Sequence, residues 1–279
     1  MIVALIDNGS LEPAATRNLR AVAAALSTAC DLPVHAVSWK HSDRIPPADL
    51  DGIPAVTLKS FFRTHVAAGE RDFVFVPFFI SAQGAIGSAL RTDLDTLQRA
   101  SGASAGAAVS VAFTAGLASH QVIAPIVASR IRDTIAARAL VNPAVIVVDH
   151  GGPSPASAAL RDSLATEIRA LLGSAVSSLT AASMEGDDHV HNRPLLAAAL
   201  AALATPHAGS APSDVVIAPL FLSPGRHAGR DGDLARIASA APGLRPHFTE
   251  LVGTHPRATA TLAAALRATL STLHAPTFA

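Results

Sequence analysis

Three short runs hold the residues best suited to chemistry. They are Asp149-His150-Gly151-Gly152, Met184-Glu185-Gly186-Asp187-Asp188-His189-Val190-His191 and Ser223-Pro224-Gly225-Arg226-His227-Ala228-Gly229-Arg230-Asp231. Imidazole nitrogens with a carboxylate suit divalent Co, Ni, Fe or Zn. Two histidines and one glutamate leave coordination positions open, as a catalytic or transfer site requires. His150, His227 and Glu185 are therefore the candidate metal-handling and catalytic set. Glycines beside both histidines, Gly151 among them, would let a flat ligand approach the backbone closely.

Each run follows a strand-like stretch. Val145–Val148, Val176–Ala182 and Val215–Leu222 are apolar or nearly uncharged, as buried parallel strands are. Helix-like segments rich in Ala, Leu and Arg alternate with them. Alternating β and α elements predict an open parallel sheet covered on both faces, with ligands at the carboxyl ends of the strands. That edge is where the three runs fall.

The pattern occurs twice. Residues 4–10 read ALIDNGS and residues 146–152 read IVVDHGG; residues 74–81 read VFVPFFIS and 216–223 read VIAPLFLS. Both pairs share one offset, which also aligns Val34 with Val176 and Asp43 with Glu185. Near the ends, LASH at 117–120 resembles VGTH at 252–255 at a shorter offset. Repetition of this kind predicts a tandem duplication. The expected lobes are residues 1–140 and 141–279, linked near Ala139 to Pro143. The remaining strands are expected at Ile2–Ile6, Val34–Trp39, Phe73–Phe79, Ala108–Ala112 and Phe248–Leu251. At the repeat offset His150 faces Asn8 and His227 faces Ala85, so the first lobe lacks the histidine pair.

Composition excludes several classes. Half of the 279 residues are apolar and 15% are charged, enough to build a large core. Acidic and basic residues number 21 each, which argues against a nucleic-acid or anionic-membrane scaffold. Cys30 is the single cysteine, so disulfide frameworks and Cys-based zinc sites are excluded within one chain. The strand-like start has no basic n-region, and the apolar run Leu195–Ala204 is too short to span a bilayer, so a cytoplasmic protein is expected. Twelve histidines against two lysines (Lys40 and Lys59) and no tyrosine is the compositional oddity.

The runs VVDHGG, ASME and APLFLSPGRHAGRD resemble the class II chelatases of tetrapyrrole biosynthesis, the sirohydrochlorin cobalto- and ferrochelatases. PLFLSPGRH is the most specific part, and the order of the runs with the duplication covers essentially the whole chain. The resemblance implies two tandem flavodoxin-like lobes. It implies insertion of Co²⁺ or Fe²⁺ into sirohydrochlorin or a related tetrapyrrole, without ATP and without a cofactor beyond that substrate metal. His150 and His227 match the family's metal-handling histidines, and Glu185 an acidic residue that binds metal or takes pyrrole protons. Arg226, Arg230 and Arg193 could pair with substrate carboxylates, with Ser223 and Gly151 beside them. One duplicated chain can form its own two-lobe cleft, so a monomer suffices and a homodimer is admitted.

Blander readings compete. A turn histidine often only binds backbone, and a loop glutamate is often only solvated. His189 and His191 read either as a second metal-delivery pair or as solvent-facing residues. His120 and His255 repeat at matching positions, which suggests a structural role at helix starts. HGG with Gly102-Ala103-Ser104-Ala105-Gly106 formally resembles a hydrolase, but the order is wrong and the serine run precedes a strand instead of following one. A non-catalytic tetrapyrrole or metal carrier on the same lobes is the alternative function.

Overall fold

The structure is a computed structural model. It describes all residues except 81–84, 106–107, 118–120, 205–211 and 274–279, with the backbone alone of 85–87 and 101–105. His120, Ser81 and His207 fall outside the described residues, as does the side chain of Ala85.

The described residues form two four-stranded parallel sheets. In the first, β1 (Ile2–Asp7), β2 (Val34–Ser38), β3 (Asp72–Pro77) and β4 (Ser110–Phe113) are ordered β2-β1-β3-β4. In the second, β5 (Ala144–Asp149), β6 (Ser178–Ser183), β7 (Ser213–Pro219) and β8 (Leu244–Phe248) are ordered β6-β5-β7-β8. This is the expected flavodoxin-like α/β arrangement, and the strand order reverses at the central pair. Central strands read as uncharged runs because helices cover both faces. Val145, Ile146, Val147 and Val148 are fully buried, as are Ile217 and Ala218.

Among the described residues, eight α-helices accompany the strands: α1 (Pro13–Cys30), α2 (Leu58–Ala67), α3 (Ala85–Ala105), α4 (Ile123–Ala137), α5 (Pro155–Leu172), α6 (Leu196–Leu203), α7 (Asp233–Ser239) and α8 (Pro256–Leu273). The compact units are not cut at residue 140. One consists of Met1–His120 with Pro256–Ala279, the other of Gln121–His255. Apolar faces explain the exchange. α4 buries Ile123, Ile126, Val127 and Ile131 and packs on α5 and β7, whereas α8 buries Ala258, Leu262 and Leu266 and packs on α1. The last helix of each repeat thus closes the unit built by the other repeat.

Two strand expectations need correction. β8 spans Leu244–Phe248, not Phe248–Leu251. Its sequence LRPHF carries charge and a proline, which an edge strand tolerates and an apolar-run criterion overlooks. The offset that aligns the first and third strands also fails at the second. Val3 pairs with Val34, but Val145 pairs with Leu179, so Val34 corresponds to Leu179 and not to Val176. The extra turn Gly173–Ala175 between α5 and β6 accounts for the slip. Consequently Lys40, not Asp43, occupies the place of Glu185.

Candidate active site

The site builds up from the carboxyl ends of β5, β6 and β7. Two central strands diverge at a switch point where α/β sheets bind ligands. His150 follows β5, and the segment after β7 carries His227. Their rings meet edge to face, with centroids 4.7 Å apart and planes at 87°. His150 Nε2 lies 3.5 Å from Glu185 Oε1. The structure therefore brings together the three residues singled out in the sequence. Their contacts run pairwise through His150. Among the described residues, no three His, Cys, Asp or Glu side chains close into a metal-holding cluster.

Each imidazole is oriented through Nδ1. His227 Nδ1 is 2.6 Å from Asp233 Oδ2 at the start of α7. His150 Nδ1 is 2.9 Å from the Gly151 carbonyl. A carboxylate and a carbonyl only accept, so in the neutral ring these contacts favour the proton on Nδ1 and leave Nε2 as the nitrogen open to a metal. Asp233 also binds Arg236 and lies 3.6 Å from Arg226 Nε. The hydrogen bond from His227, then that from Arg236, holds its carboxyl below the usual carboxylate range.

Behind His150 lies a buried polar network. The Ser183 hydroxyl donates to Asp149 Oδ1 at 2.6 Å, and Arg161 Nη1 donates to Ser183 Oγ at 2.5 Å. Arg161 is 2% exposed and also donates to the His191 carbonyl at 3.1 Å. Burial pushes the Asp149 carboxyl up, while Ser183 and Arg161 pull it back. Sequence reasoning missed Asp233, Arg161 and Ser183. Ser183 had a signal in its counterpart Ser38, hidden by the slipped offset. Arg161 had one in standing alone on an otherwise apolar helix face.

Gly151 has a specific structural task. Its φ is +83°, and a Cβ there would sit 2.0 Å from the Glu185 carbonyl oxygen. The first unit repeats this at Gly9, φ +85°, against the Lys40 carbonyl at 1.7 Å. The close approach is thus made by the protein's own backbone. The three arginines singled out for substrate carboxylates are exposed. Arg193 pairs with Asp187 at 3.0 Å and Arg226 with Asp233, while Arg230 has no ion-pair partner among the described residues. Ser223 is half-buried. His189 and His191 stack with centroids 5.3 Å apart, and His191 Nε2 lies 2.9 Å from the Gly152 carbonyl.

Fold and site together define a protein of two parallel α/β units with an imidazole pair at one strand switch point. Residues 144–269 match the family model described as CbiX. No curated protein sequence matches the chain. Among solved structures, SirB from Bacillus subtilis with Fe³⁺ is similar at a TM-score of 0.64 and 14% identity, over 96% of both chains. CbiX, described as the terminal enzyme for siroheme biosynthesis in denitrifying bacteria, is similar at 0.60 and 16% identity, over 96% of this chain and 97% of that one. The sirohydrochlorin chelatase SirB from Bacillus subtilis subspecies spizizenii in complex with cobalt gives 0.62 and 14% identity, over 97% and 96%. These likenesses place the whole chain in the chelatase fold. No described helix is long and apolar enough to cross a membrane.

Proposed function

We propose that this protein is a metal chelatase that inserts Co²⁺ or Fe²⁺ into sirohydrochlorin or a closely related tetrapyrrole, without ATP, in the cytoplasm. The observation that carries the reading is the edge-to-face pair His150 and His227 with Glu185 beside it, inside the segment that matches CbiX.

The metal is a substrate and must be taken up and released. His150 and His227 offer Nε2 lone pairs, each kept available by an acceptor on Nδ1. Two imidazoles with one carboxylate leave positions for the macrocycle nitrogens. Two pyrrole N–H protons must leave as one divalent ion enters, so charge balances. Glu185, just over half exposed at its side chain, can take a proton and pass it to solvent. The protein's remaining contribution is orientation of the ring against the metal.

The test mixes purified protein with sirohydrochlorin and Co²⁺ or Fe²⁺ and follows absorbance against a protein-free blank. Accelerated insertion is expected, and the His150→Ala, His227→Ala double variant should lose it. Tetrapyrrole binding without acceleration would make the protein a carrier instead.

A further inference from the structure

The first unit holds a cavity of about 600 Å³ whose charge is opposite to that of a metal site. Its walls include Lys40, Arg44, Lys59 and Arg63, with Trp39, Leu58 and Leu97 as the apolar part. Both lysines of the chain and its single tryptophan are thus collected in one place. Lys40 is the structural counterpart of Glu185, since each presents its carbonyl to the matching glycine, Gly9 or Gly151. Asn8 stands where the second unit has His150. Where the second unit offers imidazole and carboxylate, the first offers amide and ammonium.

Charge accounting leaves the cavity positive. Two carboxylates, Asp43 and Asp93, face the four cations. Asp93 is engaged: Trp39 Nε1 donates to it at 2.9 Å and Lys40 Nζ lies 3.8 Å away. Lys40 Nζ also sits 3.8 Å over the Trp39 ring. Arg44, Lys59 and Arg63 have no ion-pair partner among the described residues, and all three are exposed at the rim. Lys59 and Arg63 are one turn apart on α2, with Arg44 on a separate segment. Trp39 is only 9% exposed and Leu58 1%, so the apolar part is firmly packed.

Spread cations around a large, partly apolar volume suit an organic ligand with several separated negative groups better than one compact ion. Guanidinium groups pair carboxylates in a bidentate manner. We propose that this cavity is a binding site for an organic polycarboxylate. A free tricarboxylate offers this chemistry. So do the carboxylate side chains of a sirohydrochlorin-like macrocycle, and that second source rests on the function proposed above.

Trp39 reports on the site directly, because the chain has no other tryptophan and no tyrosine. The full chain is titrated with tricarballylate, with metal-free sirohydrochlorin and with inorganic phosphate at matched ionic strength, and Trp39 fluorescence is followed. A saturable change is expected with at least one carboxylate probe and not with phosphate. A response to tricarballylate identifies a free polyacid, and a response to sirohydrochlorin alone identifies the macrocycle. The Lys59→Ala, Arg63→Ala variant should move the midpoint about tenfold or more, as loss of charge-assisted bonds does. Both side chains are exposed, so folding, checked by circular dichroism, should be unchanged. The His150→Ala, His227→Ala variant should respond like the parent, which separates this site from the chelatase reading. No saturable change, an equal response to phosphate, or a response indifferent to Lys59 and Arg63 overturns the proposal.

Discussion

His227 Nδ1 and Asp233 Oδ2 are 2.6 Å apart, in a loop-to-helix turn that separates them by only six positions. The pair is closed by the chain itself, since the amides of Asp233 and Leu234 donate to the carbonyls of Arg226 and His227. A Cβ at Gly232 would meet those same two carbonyls, so the turn admits only glycine without shifting. The imidazole is thereby fixed in ring plane and tautomer by local sequence.

Replacing that carboxylate by an amide tests the tautomer argument. In Asp233→Asn the amide can donate to Nδ1, which puts the proton on Nε2 and removes its lone pair. Metal insertion should fall about 10- to 100-fold with the fold intact, the usual cost of losing an outer-shell partner. Metal-insertion rates alongside circular dichroism check this. An unchanged rate would show that Asp233 does not set the ligand nitrogen.

Gly151 gives a stability prediction with its own control. Gly243→Ala introduces a side chain at φ +71° in open space, so it should cost only the left-handed conformation, about 1–2 kcal/mol. Gly151→Ala adds the contact with the Glu185 carbonyl and should cost at least ~1 kcal/mol more. It should also slow insertion, because Glu185 must move. Urea denaturation of both variants measures the difference, and equal costs would remove the contact from the account.

Asp7 gives the pH prediction. Burial pushes its carboxyl up to about 6, against the opposing pull of Ser38 and the Gly9 amide. The folded state therefore holds a proton that the unfolded chain has released over the window from its ordinary value to about 6. Stability contributed by Asp7 falls as pH rises through that window, by about 3 kcal/mol in all. Asp7→Asn should therefore be more stable than the parent at pH 7.5, and the gap should close toward pH 4. Asp149→Asn should gain less, because Asp149 lies 3.8 Å from the buried Arg161 and offsets its charge. Thermal melts across pH 4–8 read both. A gap independent of pH would mean that Asp7 does not titrate there.

The legibility of this chain follows from which constraints are local. The central strands were legible because burial on both faces leaves uncharged runs, and their ends located His150 and His227. β8 was not, because an edge position relaxes the same rule for Arg245 and Pro246. The duplication was legible in β1 and β3, yet the turn Gly173–Ala175 shifted β6 and misassigned the partner of Glu185. Asp233 and Arg161 act through contacts across a turn and across a helix face, which single-residue spacing does not encode. The tie between His150 and Glu185 could be placed from strand order, since β5 and β6 are neighbours.

The exchange of α4 and α8 bears on how the chain is made. Residues 121–255 form a continuous stretch that holds its own covering helix, so this unit can close as soon as it leaves the ribosome. The other unit is interrupted. Its face along α1 waits for α8, which is synthesised only after the whole of 121–255. Leu19, Val22 and Leu26 on α1 are buried in the finished fold, and part of that apolar surface must stay uncovered until late in synthesis. The part of the protein made first is therefore completed last.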